Sequence, residues 1–216
     1  MIRSPDHPAG SGRVGGVSGV GEGVSTVAAV VLAAGGGRRY GMPKALVEYD
    51  GSLLVERAVR TARAVCDPVL VVLGAQAVDV WRQADLGGAA VLANKDWESG
   101  MASSLRTGLD GLRGWPGRVD AALITLVDMP GMTTEAFRRM AGHAAPDALA
   151  VATYDGVRAH PVLLGREHWA GVIETATGDE GARRYLGDHE VTEIDCTGLA
   201  DPTDLDVPPS GVPSAP

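Results

Sequence analysis

Aromatic side chains account for only 4% of the 216 residues, with a single phenylalanine, and there are two cysteines, Cys66 and Cys196. A core built from this chain has to come mostly from Ala, Val and Leu, which the 45% hydrophobic content supplies. Two cysteines so far apart form neither a metal-ligand spacing nor a disulfide framework, and the expectation is free thiols in the cytoplasm. No run of 18 apolar residues occurs, which excludes a membrane-spanning helix. Positive charge is in deficit, 19 Lys and Arg against 27 Asp and Glu for a net charge of −8, which argues against a surface for nucleic acid or an anionic membrane. Residues 1–26 hold seven glycines and no apolar h-region, so a secretory signal is excluded and a disordered extension is expected. Residues 207–216, with four prolines, are expected to be a disordered tail. The length between them, 27–206, suits one α/β domain.

Against this acidic background, one stretch stands out. Residues 27–34, VAAVVLAA, form an apolar run suited to a strand buried on both faces. Gly35, Gly36 and Gly37 follow, and then Arg38, Arg39 and Lys44. Bare backbone N–H groups beside converging cations are suited to an anion, above all a polyphosphate. A P-loop is ruled out because Met42 and Pro43 stand where Lys and Ser or Thr are required. The dinucleotide fingerprint is ruled out because Tyr40 replaces the third glycine and Pro43 interrupts the helix that must begin there.

Downstream, a helix is expected from Ser52 as N-cap to about 65, a second buried strand at 69–73, a weaker helix at 74–84 and a strand at 89–93. The strand, helix and strand in sequence predict a right-handed crossover between parallel strands. Leu105, Leu109 and Leu112 have helical spacing, which puts Ser99 or Gly100 at a helix N-terminus whose donors face a ribose, base or phosphate. Ser103 and Gly108 are equally explained by close helix packing. Residues 121–127 read as a strand ending at Asp128, and a carboxylate at the carboxyl end of a parallel strand faces the ligand crevice, where it can hold Mg²⁺. A turn-initiating role for Asp128 before Met129-Pro130 is the alternative. A helix at 133–144, strand runs at 147–153, 156–164 and 191–194, and a short helical run to Leu186 complete the chain.

The pattern L-A-A-G-x-x-x-R-x-G-x-P-K, formed by Leu32, Ala33, Ala34, Gly35, Arg39, Gly41, Pro43 and Lys44, resembles the signature loop of the MobA-like nucleotidyltransferases. Its LAAG form is most similar to the molybdenum-cofactor cytidylyltransferase branch. Further segments resemble the same family in order: Asn94 through Trp97, Gly100, Met101 and Ser104 to Leu109, then Asp128-Met129-Pro130, then Arg158-Ala159-His160-Pro161, then Gly178-Asp179-Glu180-Gly181-Ala182-Arg183. Ala159 departs from the usual glycine, and 201–205 is one residue shorter than the usual tail. His160 reads as a packed strand histidine or as a site residue.

The resemblance implies a Rossmann-like three-layer α/β/α fold with a mostly parallel sheet, of the nucleotide-diphospho-sugar transferase type. It implies Mg²⁺-dependent transfer of CMP from CTP to molybdenum-bearing molybdopterin, with a recipient molybdoenzyme as a further partner. The implied catalytic residues are Arg39, Lys44 and Asp128, the last also the metal ligand, with Asp195, Asp201 and Asp204 as candidates for a second. Nucleotide-binding residues are Leu32, Ala33, Ala34, Gly35, Gly36, Gly37, Lys44, Asn94, Gly100 and Ser103; acceptor-binding residues are Arg158, His160, Asp179 and Arg183. A guanylyltransferase, a phosphosugar nucleotidyltransferase or a non-catalytic cofactor chaperone are the rivals.

Overall fold

A computed structural model describes residues 25–37 and 40–205. Arg38, Arg39, residues 1–24 of the expected disordered extension over 1–26, and the expected tail 207–216 lie outside these residues; at the end of that extension Thr26 is held in place, its N–H donating to Asp120 Oδ2 at 3.1 Å. β1 (Val27–Ala33) leads through the glycine loop to a 3-10 turn (Lys44–Leu46) and a short hairpin of β2 (Glu48–Tyr49) and β3 (Ser52–Leu53). Then come α1 (Leu54–Arg63), β4 (Val69–Leu73), α2 (Ala77–Gln83), β5 (Ala90–Ala93), α3 (Met101–Arg113) and β6 (Ala121–Leu126). The second half has α4 (Thr134–Ala141), β7 (Leu149–Tyr154), β8 (Val157–Gly165), α5 (Trp169–Thr175), α6 (Arg183–Gly187) and β9 (Thr192–Asp195).

Seven strands form one sheet in the order β5-β4-β1-β6-β8-β7-β9, with β1 parallel to both β4 and β6. The pleat of β1 divides the core. Ala29, Val31 and Ala33 face the layer of α1, α2 and α4, whereas Ala28, Val30 and Leu32 face α3 and α5. This is the expected α/β/α arrangement, and the continuous apolar run of β1 is explained by its central position. Few large side chains are needed because the layers approach closely. A Cβ on Gly108 of α3 would lie 2.4 Å from a Val30 methyl, and one on Gly111 would lie 2.5 Å from Leu92.

Three local expectations are corrected. Ser52 lies in β3 rather than capping α1, and the Leu53 N–H is taken by Glu56 Oε2 at 3.1 Å. β8 runs antiparallel to both β6 and β7, because Asp155 and Gly156, with φ of 50° and 78°, make a tight turn between β7 and β8. α5, whose Gly171 weakens its helical pattern, had no counterpart in the sequence reading. Both cysteines are buried free thiols, and burial pushes that of Cys66 up to about 12. Among the described residues, no helix is long and apolar enough to cross a membrane.

Candidate active site

The chain leaves β1 toward β4 and β5 on one side of the sheet and later returns on the other side as β6, so the strand order reverses between β1 and β6. Crevices form at the carboxyl ends of strands at such a point. Here β1 delivers the glycine loop and β6 delivers Asp128, joined by Val127 N–H donating to Leu32 O at 3.1 Å. A cavity of about 610 Å³ opens between them. Leu32, Ala34, Gly35, Gly37, Lys44, Gly100, Asp128 and Asp179 all line it.

The loop geometry follows from its glycines and from Pro43. Gly37 has φ of 57°, and a Cβ there would lie 1.9 Å from the Met42 carbonyl oxygen, so only glycine fits this fold-back. Pro43 opens the 3-10 turn that buries Ala45 and Leu46, and this anchor directs Lys44 into the cavity. Lys44 Nζ donates to Asp128 Oδ2 at 2.7 Å, with the two side chains 20% and 18% exposed. Charges 84 residues apart in sequence therefore meet at one edge of the cavity.

Other expected nucleotide-side residues do not reach it. Ala33 faces the core under α1. Asn94 is buried, its amide nitrogen donating to Ser103 Oγ at 2.7 Å and Ser104 Oγ at 3.0 Å. Its Oδ1 accepts from the Asp96 N–H at 2.9 Å. Ser103 Oγ lies 2.9 Å from Asp96 O and 2.8 Å from Gly100 O. Asn94 and Ser103 thus hold the 94–104 turn in shape. Gly36 admits Trp97, whose ring carbons would be 3.1 Å from a Cβ there.

The donors at the start of α3 are also occupied, contrary to the expectation that they face a ligand. Met101 N–H donates to Asp179 Oδ1 at 3.2 Å and Ala102 N–H to Gly178 O at 2.9 Å. Trp97, Met101 and Ser104 line the cavity, as the resemblance of the Asn94 to Leu109 segment implies, although none of the three is among the nucleotide-binding residues named individually. Their presence in the Asn94 to Leu109 pattern was the available signal.

A second cavity of about 500 Å³ adjoins the first, with Leu32, Met101, Leu126 and Asp179 in both walls. It brings together all four expected acceptor residues, Arg158, His160, Asp179 and Arg183, over an apolar floor that includes Ile124, Val151 and Val162. Arg158 Nε is paired with Glu193 at 2.8 Å. His160 Nδ1 lies 3.2 Å from Ile124 O, a carbonyl that can only accept, so this nitrogen carries the proton. Burial pushes the His160 pKa below its ordinary value; the Ile124 carbonyl and Asp128 oppose that shift, and Arg183 adds to it.

The three candidate second carboxylates separate by position. Asp195 accepts from the Thr197 hydroxyl at 2.6 Å and N–H at 2.9 Å, and Asp201 from the Thr203 N–H at 2.9 Å. These bonds hold both carboxyls below their ordinary range and identify them as turn formers. Asp204 lines the second cavity, and the next residue donates from its N–H to Asp128 O at 2.8 Å. Asp128 lines the first cavity and Asp204 the second, on either side of their shared wall.

A mostly parallel sheet with a glycine loop, a lysine and an aspartate at its switch point defines a nucleotidyltransferase of the α/β class. The MobA-like NTP transferase domain matches residues 29–193, and the chain belongs to that family. It is 35% identical to the nicotine blue oxidoreductase of Paenarthrobacter nicotinovorans, over 83% of this chain and 92% of that protein. It is 21% identical to the molybdenum cofactor cytidylyltransferase of Escherichia coli (strain K12), over 86% and 93%. The crystal structure of Rv0371c from Mycobacterium tuberculosis H37Rv superposes with a TM-score of 0.73 at 28% identity, over 85% of this chain and 94% of that one. A manganese complex of Rv0371c gives 0.69 at 26%, over 85% and 94%.

Proposed function

We propose that the protein transfers CMP from CTP to the terminal phosphate of molybdenum-bearing molybdopterin, releasing pyrophosphate. The observation that carries this reading is the meeting of Lys44 and Asp128 in a cavity that shares a wall with a second one lined by Arg158, His160 and Arg183. The first cavity suits a nucleoside triphosphate, with the backbone of Gly35 and Gly37 against phosphate oxygens. Lys44, and Arg39 by the sequence pattern alone, offset charge on the departing pyrophosphate. Asp128 and Asp204 would hold Mg²⁺, which neutralises and aligns the triphosphate when bound. Rv0371c has been crystallised as a manganese complex, which is in keeping with use of a divalent ion. Arg158 and Arg183 offer cations to the acceptor phosphate, and neutral His160 offers its other ring nitrogen as a hydrogen-bond acceptor. In-line transfer needs alignment more than covalent help, and adjoining cavities supply it.

Cytidine is favoured over guanosine by the LAAG form of the loop and by the 178–183 pattern. The test is thermal unfolding with CTP, GTP, ATP or UTP and Mg²⁺. CTP at 100 times its Kd should stabilise by about 2.7 kcal/mol, and a larger shift with GTP would move the assignment to guanylyl transfer.

A second reading follows from the 35% identity to nicotine blue oxidoreductase: a redox reaction in these cavities in place of nucleotidyl transfer. Turnover of nicotine blue with a redox partner, without pyrophosphate release from any NTP, would favour it.

A further inference from the structure

The acceptor-side loop 176–183 is fastened to the helix of the nucleotide side. A helix begins with N–H groups that have no partner within it. In α3 the first two are taken by this loop: Met101 by the Asp179 carboxylate at 3.2 Å, Ala102 by the Gly178 carbonyl at 2.9 Å. One turn further, Arg106 Nη1 donates to Ala176 O at 2.6 Å. The approach requires bare backbone. Gly100 has φ of 108°, and a Cβ there would lie 2.5 Å from the Gly178 carbonyl and 2.8 Å from Asp179 Oδ1.

Anchoring Asp179 also sets the course of the residues after it. Arg183 N–H donates to Glu180 O at 3.0 Å, so the turn anchored on α3 determines where α6 begins and where Arg183 enters the second cavity. Asp179 itself stands in the wall shared by both cavities. A carboxylate at the positive end of a 13-residue helix is electrostatically favourable, and it occupies the place a ligand phosphate would otherwise take.

We propose that Asp179 is a positioning residue, a latch that holds the acceptor loop against α3 and so sets the second cavity relative to the first. It acts through the Met101 N–H and not by contact with the acceptor. Its catalytic consequence rests on the transfer reading above; the latch itself does not.

Hydrogen exchange on the whole chain tests it, comparing wild type with Asp179→Ala, Asp179→Asn and Gly100→Ala. Asp179→Ala should speed exchange of amides in 176–183 and of Met101 by about two- to fivefold, the size expected of an exposed helix-terminus charge contact. Asn retains an oxygen that accepts from the Met101 N–H but lacks the charge, so Asp179→Asn should recover part of the protection. Gly100→Ala should open the same segment from the other side, which guards against a global effect of the first variant. With molybdenum-bearing molybdopterin as acceptor, Asp179→Ala should raise KM for it more than it lowers kcat, and Asn should restore KM in part. Unchanged exchange in Asp179→Ala, or no recovery with Asn, would overturn the latch. Absence of transfer by the wild type would overturn the proposed function alone, and the exchange result would still decide the latch.

Discussion

Lys44 and Asp128 form an ion pair of 2.7 Å at the edge of the first cavity. Under the proposed function, the ammonium and a divalent cation would compete for this carboxylate, and triphosphate oxygens would draw Lys44 away from it. Metal and nucleotide should consequently bind cooperatively. Lys44→Ala should bind Mn²⁺ without nucleotide about fivefold more tightly than wild type, since a partly exposed pair contributes about 1 kcal/mol. Titration calorimetry measures this, and weaker Mn²⁺ binding by the variant would contradict it. The same variant should lose about 10²- to 10³-fold in kcat, by analogy with removal of one preorganised oxyanion donor. It should still melt cooperatively.

Gly37→Ala should disable the loop without unfolding the sheet. The new Cβ would meet the Met42 carbonyl at 1.9 Å, at a backbone φ of 57° that L side chains rarely adopt. Nucleotide affinity should fall at least tenfold, equivalent to about 1.4 kcal/mol. Gly35→Ala, with no atom within 4 Å of its Cβ, should cost less. Equilibrium dialysis with a labelled NTP compares the two.

Trp97 lies against Gly36 and lines the first cavity, so under the proposed function its fluorescence should report nucleotide occupancy. Nucleotide should change the emission of wild type, and Trp97→Phe should abolish that change, although Trp81, Trp115 and Trp169 remain. A preserved change in the variant would place the nucleotide elsewhere.

His160 makes the stability depend on pH. Its folded pKa lies below the ordinary 6.5 because burial disfavours the cation. Between the folded value and 6.5 the unfolded chain binds more protons, so stability should fall as pH drops through that window and level off below it. His160→Gln should flatten the melting temperature between pH 7 and 5 relative to wild type. A parallel pH profile in both proteins would contradict the assignment.

The fold was largely legible because each strand near the site carries its own pattern. β1 reads as doubly buried from seven apolar residues in a row, and Asp128 marks where β6 ends. The orientation of β8 was not read: the Asp155-Gly156 turn has the residues of a hairpin, but pairing to β6 depends on tertiary packing. Within the site, Lys44 and Asp128 were recognisable from residue type and position. The inward turn of Asn94 and Ser103 was not, because a buried amide and hydroxyl that satisfy one another look in sequence like polar groups awaiting a ligand. The occupation of the α3 donors by Asp179 involves a separation of 78 residues, which no local pattern reports.

The most direct measurement is pyrophosphate release by the purified protein from each of four NTPs, with Mg²⁺ and with or without molybdenum-bearing molybdopterin. Release from CTP should require the acceptor and fall about 10²- to 10³-fold in Lys44→Ala. Acceptor-dependent turnover that survives unchanged in Lys44→Ala, or no release from any NTP, would contradict nucleotidyl transfer through this site.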